Sequence, residues 1–241
     1  MKKNIIVTGA SRGLGLGICE RLFNEKYRII GIGRTDPDEF KSPVLDVNKD
    51  NFFYKQFDLN NLPKIHNLLS EIINEYGPIY GLVNNAAIGI DGVLATMHHK
   101  DISQLLKTNL EVPILMAKFA CRSMLLNGQG RIVNISSIIS KSGFNGLSVY
   151  AATKAGLNGF TKSLARELGR YSITVNTVEP GFMSTQMTTN IASTKLESIK
   201  RRAPLGLVEP NDVAGAVAYL LSPDGSMITG TTITVDGGST S

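Results

Sequence analysis

Short apolar runs alternate along this chain with longer stretches of helical spacing, and that alternation leaves few folds open. Runs at 5–7, 29–30, 52–57, 80–83, 131–135, 173–178 and 232–235 mark seven strands. Between them, apolar residues recur at helical spacing over 14–23, as in Leu14, Ile18 and Leu22, and over 64–76, 101–126, 148–169 and 210–221. Strands alternating with helices predict βαβ units with right-handed crossovers. The fold class is therefore α/β, a doubly wound parallel sheet of Rossmann type with seven strands and helices on both faces. No linker, composition shift or internal repeat divides the 241 residues, so a single domain over 1–241 is expected. One segment breaks the rhythm. Residues 184–206 are polar and then basic (Lys195, Lys200, Arg201, Arg202) and precede the last helical stretch. An insertion there lies outside the carboxyl ends of the strands and predicts a substrate lid.

Composition removes several alternatives. With 42% hydrophobic residues and a net charge of only +5, the chain is not a disordered one. No apolar run approaches the roughly 18 residues of a membrane span, and 5–7 is too short for the core of a signal peptide. No block of five or six basic residues exists and Trp is absent, so neither a nucleic-acid partner nor a membrane is expected. Cys19 and Cys121 have no CxxC spacing and read as small core residues of a protein in a reducing, cytoplasmic setting. His66, His98 and His99 lack partners at metal-ligand spacing, so no metal is expected.

The most informative turn runs from Thr8 to Gly15, as Thr8-Gly9-Ala10-Ser11-Arg12-Gly13-Leu14-Gly15. It closes the first strand and opens the first helix. In that setting one glycine permits a tight turn, another lets a phosphate approach the backbone, and a third lets helix and strand pack closely. The helix N-terminus offers N–H groups and a positive dipole end to a pyrophosphate. After the second strand, where NAD sites carry an acid for the ribose hydroxyls, the chain reads Gly33-Arg34. Arg34 together with Arg12 suits a 2′-phosphate, which favours NADP(H) over NAD(H).

Tyr150 and Lys154 stand four apart in a helical stretch and so share one face. An ammonium beside a phenol favours the phenolate and makes proton exchange with a carbonyl oxygen accessible near neutral pH. Ser137, closing the fifth strand thirteen residues earlier, can donate to the same oxygen. Asn84-Asn85 closes the fourth strand, and Asn109 sits inside the 101–126 stretch, where an asparagine is out of place unless its amide has a task. These polar groups gather at the carboxyl edge of one sheet, where such folds bind ligands.

Together these motifs resemble the short-chain dehydrogenase/reductase family, and most closely its 3-oxoacyl-[acyl-carrier-protein] reductases. The likeness spans Thr8-Gly9 with Gly13 and Gly15, Asp58-Leu59, Asn84-Asn85-Ala86, Asn109, Ser137, Tyr150 with Lys154, Pro180-Gly181 with Thr185, and Asp236-Gly237-Gly238. It implies strand order 3-2-1-4-5-6-7 and a catalytic set of Asn109, Ser137, Tyr150 and Lys154. The implied cofactor contacts are Gly9, Ser11, Arg12, Gly13, Leu14, Gly15 and Arg34, with Asp58 at the adenine amino group and Leu59 through its backbone. Asn85 and Ala86 line the ribose region, Lys154 bridges the ribose hydroxyls beside Tyr150, and Pro180, Gly181, Met183 and Thr185 flank the nicotinamide. Two departures are visible: Ala87 stands where the family has glycine, and Met183 where Ile or Val is usual.

The resemblance implies an NADPH-dependent carbonyl reductase. Hydride passes to a ketone carbon while Tyr150 protonates the oxygen, Ser137 orients it, and Lys154 lowers the phenol's pKa. A 3-oxoacyl thioester carried by acyl carrier protein, as in fatty acid biosynthesis, is the leading substrate. Arg122 and Arg170 are candidate docking cations. Helices over 101–126 and 150–168 are expected to pair subunits into a homotetramer or homodimer. Two alternatives stay open: a specialised reductase of a sugar, polyketide or other ketone, and a catalytically silent NADP(H)-binding sensor or scaffold.

Overall fold

The computed structural model describes residues 2–36, 39–42, 45–46, 49, 51–183 and 193–241, the side chains of 193–196 excepted. Strand β1 (Asn4–Thr8) is fully buried and feeds helix α1 (Gly13–Asn24) through the glycine turn. Then follow β2 (Arg28–Gly33), β3 (Phe52–Gln56), α2 (Ile65–Tyr76) and β4 (Ile79–Asn84). Helices α3 (His99–Leu106) and α4 (Val112–Asn127) precede β5 (Gly130–Ile135), and the short α5 (Ile139–Ser142) precedes α6 (Ser148–Leu168). Strand β6 (Ile173–Pro180), α7 (Ser193–Arg201), α8 (Pro210–Leu221) and β7 (Thr232–Val235) complete the chain. The seven strands form one parallel sheet in the order β3-β2-β1-β4-β5-β6-β7, as the resemblance implied.

Alternation along β1 shows why both faces are covered. Ile5 and Val7 point to one side and pack with Leu14, Ile18 and Leu22 of α1 and with Val213, Val217 and Leu221 of α8. Ile6 points to the other and packs with Ile65, Leu69 and Ile72 of α2 and Met116 and Ala120 of α4. A strand with apolar residues on both sides cannot sit at a solvated face, so the doubly wound arrangement follows from its residues.

The stretch 101–126 is not one helix. Lys107–Glu111 forms a π-helical turn between α3 and α4, and Asn109 lies at its centre, fully buried. A π-turn holds one residue more than an α-turn and redirects side chains locally. Pro113, in the first turn of α4, is tolerated because its missing N–H costs least at a helix start. Among the described residues, no helix is long and apolar enough to cross a membrane, and no group of three or more His, Cys, Asp or Glu is placed to hold a metal. Of the lid expected near 184–206, residues 184–192 lie outside the described residues; 193–201 is α7.

Candidate active site

The carboxyl ends of β1, β4, β5 and β6 converge on one edge of the sheet. At the β1 end, Gly9 has φ +68° and Gly13 φ +54°, in the left-handed region. A Cβ on Gly15 would collide with the Gly9 carbonyl, so helix and turn approach as only glycine allows. Arg12 holds the N-cap of α1 in extended conformation, and no side chain caps the helix there. Its first-turn N–H groups are thus left to serve an anion. Thr8 anchors the turn to the β4 end: its Oγ1 accepts from the N–H of Asn85 at 2.9 Å and of Ala86 at 3.0 Å. The Asn85 amide is engaged structurally as well, donating to the Thr8 carbonyl at 2.9 Å.

At the β2 end, Gly33 is buried and Arg34 exposed, with Arg12 also exposed. Strand β3 decides what can stand at 33. Tyr54 pairs in register with Gly31, and its hydroxyl lies beside Ser11 and Thr35. A Cβ built on Gly33 would strike that hydroxyl. Beyond β3, Asp58 is exposed, and its carboxylate accepts from the N–H of Asn60 at 3.0 Å. Leu59 is buried.

The four expected catalytic residues lie together. Ser137 follows β5, and its hydroxyl lies beside the Tyr150 phenol. One turn along α6, Lys154 is 3% exposed and its Nζ donates to the Ile135 carbonyl at 2.8 Å. That Nζ stands 5.7 Å from the centre of the Tyr150 ring. The π-turn presents Asn109, whose Nδ2 contacts Thr153 Oγ1 at 3.5 Å, and Thr153 Oγ1 donates to the Tyr150 carbonyl at 2.7 Å. Ser136 fixes the same helix by donating to the Lys154 carbonyl at 2.9 Å.

One expectation needs correction. The phenol of Tyr150 is raised above its ordinary pKa, not lowered: burial raises it and the neighbouring Ser137 hydroxyl only partly offsets that. Burial also lowers Lys154, to about 8. Partial burial of the phenol and full burial of the ammonium disfavour both charged forms, and the ammonium donates to a backbone carbonyl. At the β6 end, Gly181 donates to the Val235 carbonyl at 2.8 Å and packs so closely on Asp236 that a Cβ would meet its Cα at 2.7 Å. Pro180 offers its carbonyl to Ile138 N–H at 3.2 Å, and Met183 packs against the α1–α8 side of the core. Thr185 lies outside the described residues.

A family model described as short chain dehydrogenase matches residues 3–196. The chain belongs to that family. It is similar to the 3-oxoacyl-[acyl-carrier-protein] reductase FabG of Vibrio cholerae, with 38% identity over 237 residues, or 98% of this chain and 96% of the relative. The protein of that name from Rickettsia bellii is 38% identical over 234 residues, covering 97% and 95%. That from Escherichia coli is 37% identical over 238 residues, covering 98% and 96%. This short-chain dehydrogenase is therefore an NAD(P)-dependent oxidoreductase acting on a carbonyl/alcohol pair.

Three residues at this edge escaped the sequence reading. Tyr54 shows only as an aromatic in a strand, and Thr153 as a polar residue in a helix. Glu179 is the one charged residue in 173–180, and that charge was the one available signal.

Proposed function

We propose that this protein reduces a ketone with NADPH, and that its substrate is a 3-oxoacyl thioester presented by an acyl carrier protein. The placement of the Ser137 hydroxyl beside the Tyr150 phenol carries the reading, because it puts two donors where one carbonyl oxygen can meet both. The nicotinamide, when bound, supplies the hydride. Tyr150, kept protonated by burial, gives its proton to the oxygen, and Ser137 orients that oxygen. Lys154 anchors the helix to β5 and supplies positive charge beside the phenol. Asn109, held by its hydrogen bonds to Ile88, supports proton delivery to this pair.

Preference for NADP(H) is supported at the β2 end. An acid at position 33 has no room beside the Tyr54 hydroxyl, whereas Arg12 and Arg34 are free to meet a 2′-phosphate. The pyrophosphate would lie along Gly9 to Gly15, through Ser11, Gly13 and Leu14. Asp58, Leu59, Asn85 and Ala86 would flank the adenosine half, and Pro180, Gly181 and Met183 the nicotinamide half, with Lys154 at its ribose.

The carrier protein is supported by the names of the three relatives. Arg122 and Arg170 are exposed, while Arg131 is buried and bonded to the Ser172 carbonyl at 3.1 Å, so only the first two can meet an acidic partner. Leu106, Ile114, Leu125 and Leu126 of α3 and α4 are exposed apolar residues, which favours a homo-oligomer built on these helices, a tetramer or a dimer. NADPH oxidation against acetoacetyl thioesters, cyclic ketones and sugar ketones tests the reading. Thioester turnover is expected to dominate, and activity confined to the other ketones would overturn the substrate. In Tyr150→Phe, turnover should fall about 10²-fold or more with NADPH affinity kept.

A further inference from the structure

Glu179, the residue before the end of β6, is completely buried, and nothing in the reductase chemistry uses it. A carboxylate in that position is costly unless every lone pair is met, and an apolar side chain would serve a strand end at lower cost. Here the partners come from three separate elements. Oε1 accepts from Ser140 Oγ at 2.6 Å and from Asn158 Nδ2 at 2.7 Å. Oε2 meets Lys141 Nζ at 2.7 Å and accepts from Thr234 Oγ1 of β7 at 3.4 Å. Asn158 also donates to Ser140 Oγ at 3.1 Å, which closes a triangle.

The two main arms of this network end beside the catalytic groups. Asn158 stands four residues past Lys154 and eight past Tyr150, on the same face of α6. Ser140 and Lys141 belong to the turn that begins at Ser137: Ser140 N–H donates to the Ser137 carbonyl at 3.0 Å, and Ile139 N–H to Ser137 Oγ at 3.3 Å. On either side of Glu179, β6 holds the same segment by its backbone, Val178 accepting from Ser136 N–H at 2.8 Å and Pro180 from Ile138 N–H at 3.2 Å. The turn bearing Ser137 and the helix bearing Tyr150 are thus both fastened to one carboxylate.

We propose that Glu179 is a positioning residue that fixes Ser137 relative to Tyr150 by bridging Ser140 and Lys141 to Asn158. The proposal rests on the reductase reading for its effect on turnover, but the geometry it concerns can be read without turnover.

The experiment uses the full chain with Glu179→Ala, Glu179→Gln, Ser137→Ala and the double variant Glu179→Ala/Ser137→Ala. Turnover of an acetoacetyl thioester, NADPH affinity by fluorescence titration, and phenolate absorbance of each protein minus its Tyr150→Phe counterpart are measured. Glu179→Ala should lower kcat at least tenfold with KM and NADPH affinity within twofold of wild type. Glu179→Gln keeps an acceptor for Ser140 and Asn158 and should recover most of that loss. Because Glu179 acts through Ser137, the double variant should be no slower than Ser137→Ala alone. A kcat within twofold of wild type in Glu179→Ala, or losses that multiply in the double variant, would overturn the proposal. If Glu179→Ala does not fold, Ser140→Ala removes one arm from the partly exposed side and should lower kcat at least threefold; an unchanged kcat overturns the proposal. If the wild type turns over no carbonyl, the reductase reading fails and the phenolate titration decides instead. Glu179→Ala, or Ser140→Ala in its place, must then move the Tyr150 midpoint upward as Ser137→Ala does; an unmoved midpoint overturns the positioning role.

Discussion

Asn109 and Ile88 are joined by a reciprocal pair of hydrogen bonds: Ile88 N–H donates to Asn109 Oδ1 at 2.9 Å, and Asn109 Nδ2 donates to the Ile88 carbonyl at 2.9 Å. A buried side-chain amide here imitates a strand, satisfying the chain as it leaves the β4 end. The π-turn is what aims that amide inward. Asn109→Ala leaves both Ile88 groups to find other partners and should cost about 1–3 kcal/mol of stability, read by urea unfolding. Turnover should fall with it, because the contact with Thr153 beside Lys154 is lost as well. An Asn109→Ala protein as stable as wild type would show that water replaces the amide without cost.

Gly33 and Tyr54 make a second testable relationship. Converting an NADP site to NAD by installing an acid at 33 fails here on steric grounds, since the new Cβ meets the Tyr54 hydroxyl before the carboxylate can reach a ribose. Gly33→Asp alone should weaken NADPH binding without improving NADH binding. Gly33→Asp/Tyr54→Phe removes the obstructing oxygen while keeping the ring in the core, and should shift the NADH-to-NADPH affinity ratio at least tenfold toward NADH. Titration of both cofactors against the two variants checks this, and a single Gly33→Asp variant that binds NADH well would refute it.

Arg12 and Arg34 are both exposed to solvent. Charge-assisted contacts to a phosphate are stronger than neutral ones, and exposed ones are screened by salt. Either Arg→Ala substitution should weaken NADPH about tenfold, an order-of-magnitude figure for one such contact, and leave NADH affinity within twofold. The NADPH loss should shrink as salt is raised from 50 mM to 500 mM. Equal losses for both cofactors would move these arginines away from the 2′-phosphate.

What the sequence made legible were features with a local period or spacing. The strands and helices follow from apolar repeats, the Gly9–Gly15 turn from its place between β1 and α1, and the Tyr150–Lys154 face from a separation of four. The features that stayed hidden depend on register between distant segments. Tyr54 acts at Gly33 only because β3 lies beside β2 with Tyr54 opposite Gly31. Glu179 finds Asn158 and Ser140 only once β6, α5 and α6 are assembled. The π-turn at 107–111 was invisible because one added residue barely disturbs an apolar pattern that continues through it. The sign of the Tyr150 shift was missed for another reason: spacing places an ammonium near a phenol, but burial decides which charged form survives.

That burial sets the expected pH dependence. Lys154 falls from an ordinary 10.5 to about 8, so in the folded protein its charge is lost as pH rises through about 8. Tyr150 is shifted upward and stays protonated through neutrality, available as an acid. Ketone reduction that needs both the phenol and the ammonium should be flat between about pH 6 and 7.5 and decline above about 8, toward a tenfold loss per unit. Lys154→Arg keeps its charge throughout this range, so the decline should disappear in that variant even if its peak rate is lower. The sign for stability follows from the same shift. Between about 8 and 10.5 the unfolded chain binds the proton that the folded one has released, so this group makes folding more favourable as pH rises across that window. Urea midpoints at pH 8 and pH 10 for wild type and Lys154→Met should therefore differ in slope, the wild type gaining stability over the variant as pH increases. A reduction profile whose alkaline limb is the same in wild type and Lys154→Arg would assign that limb to another group.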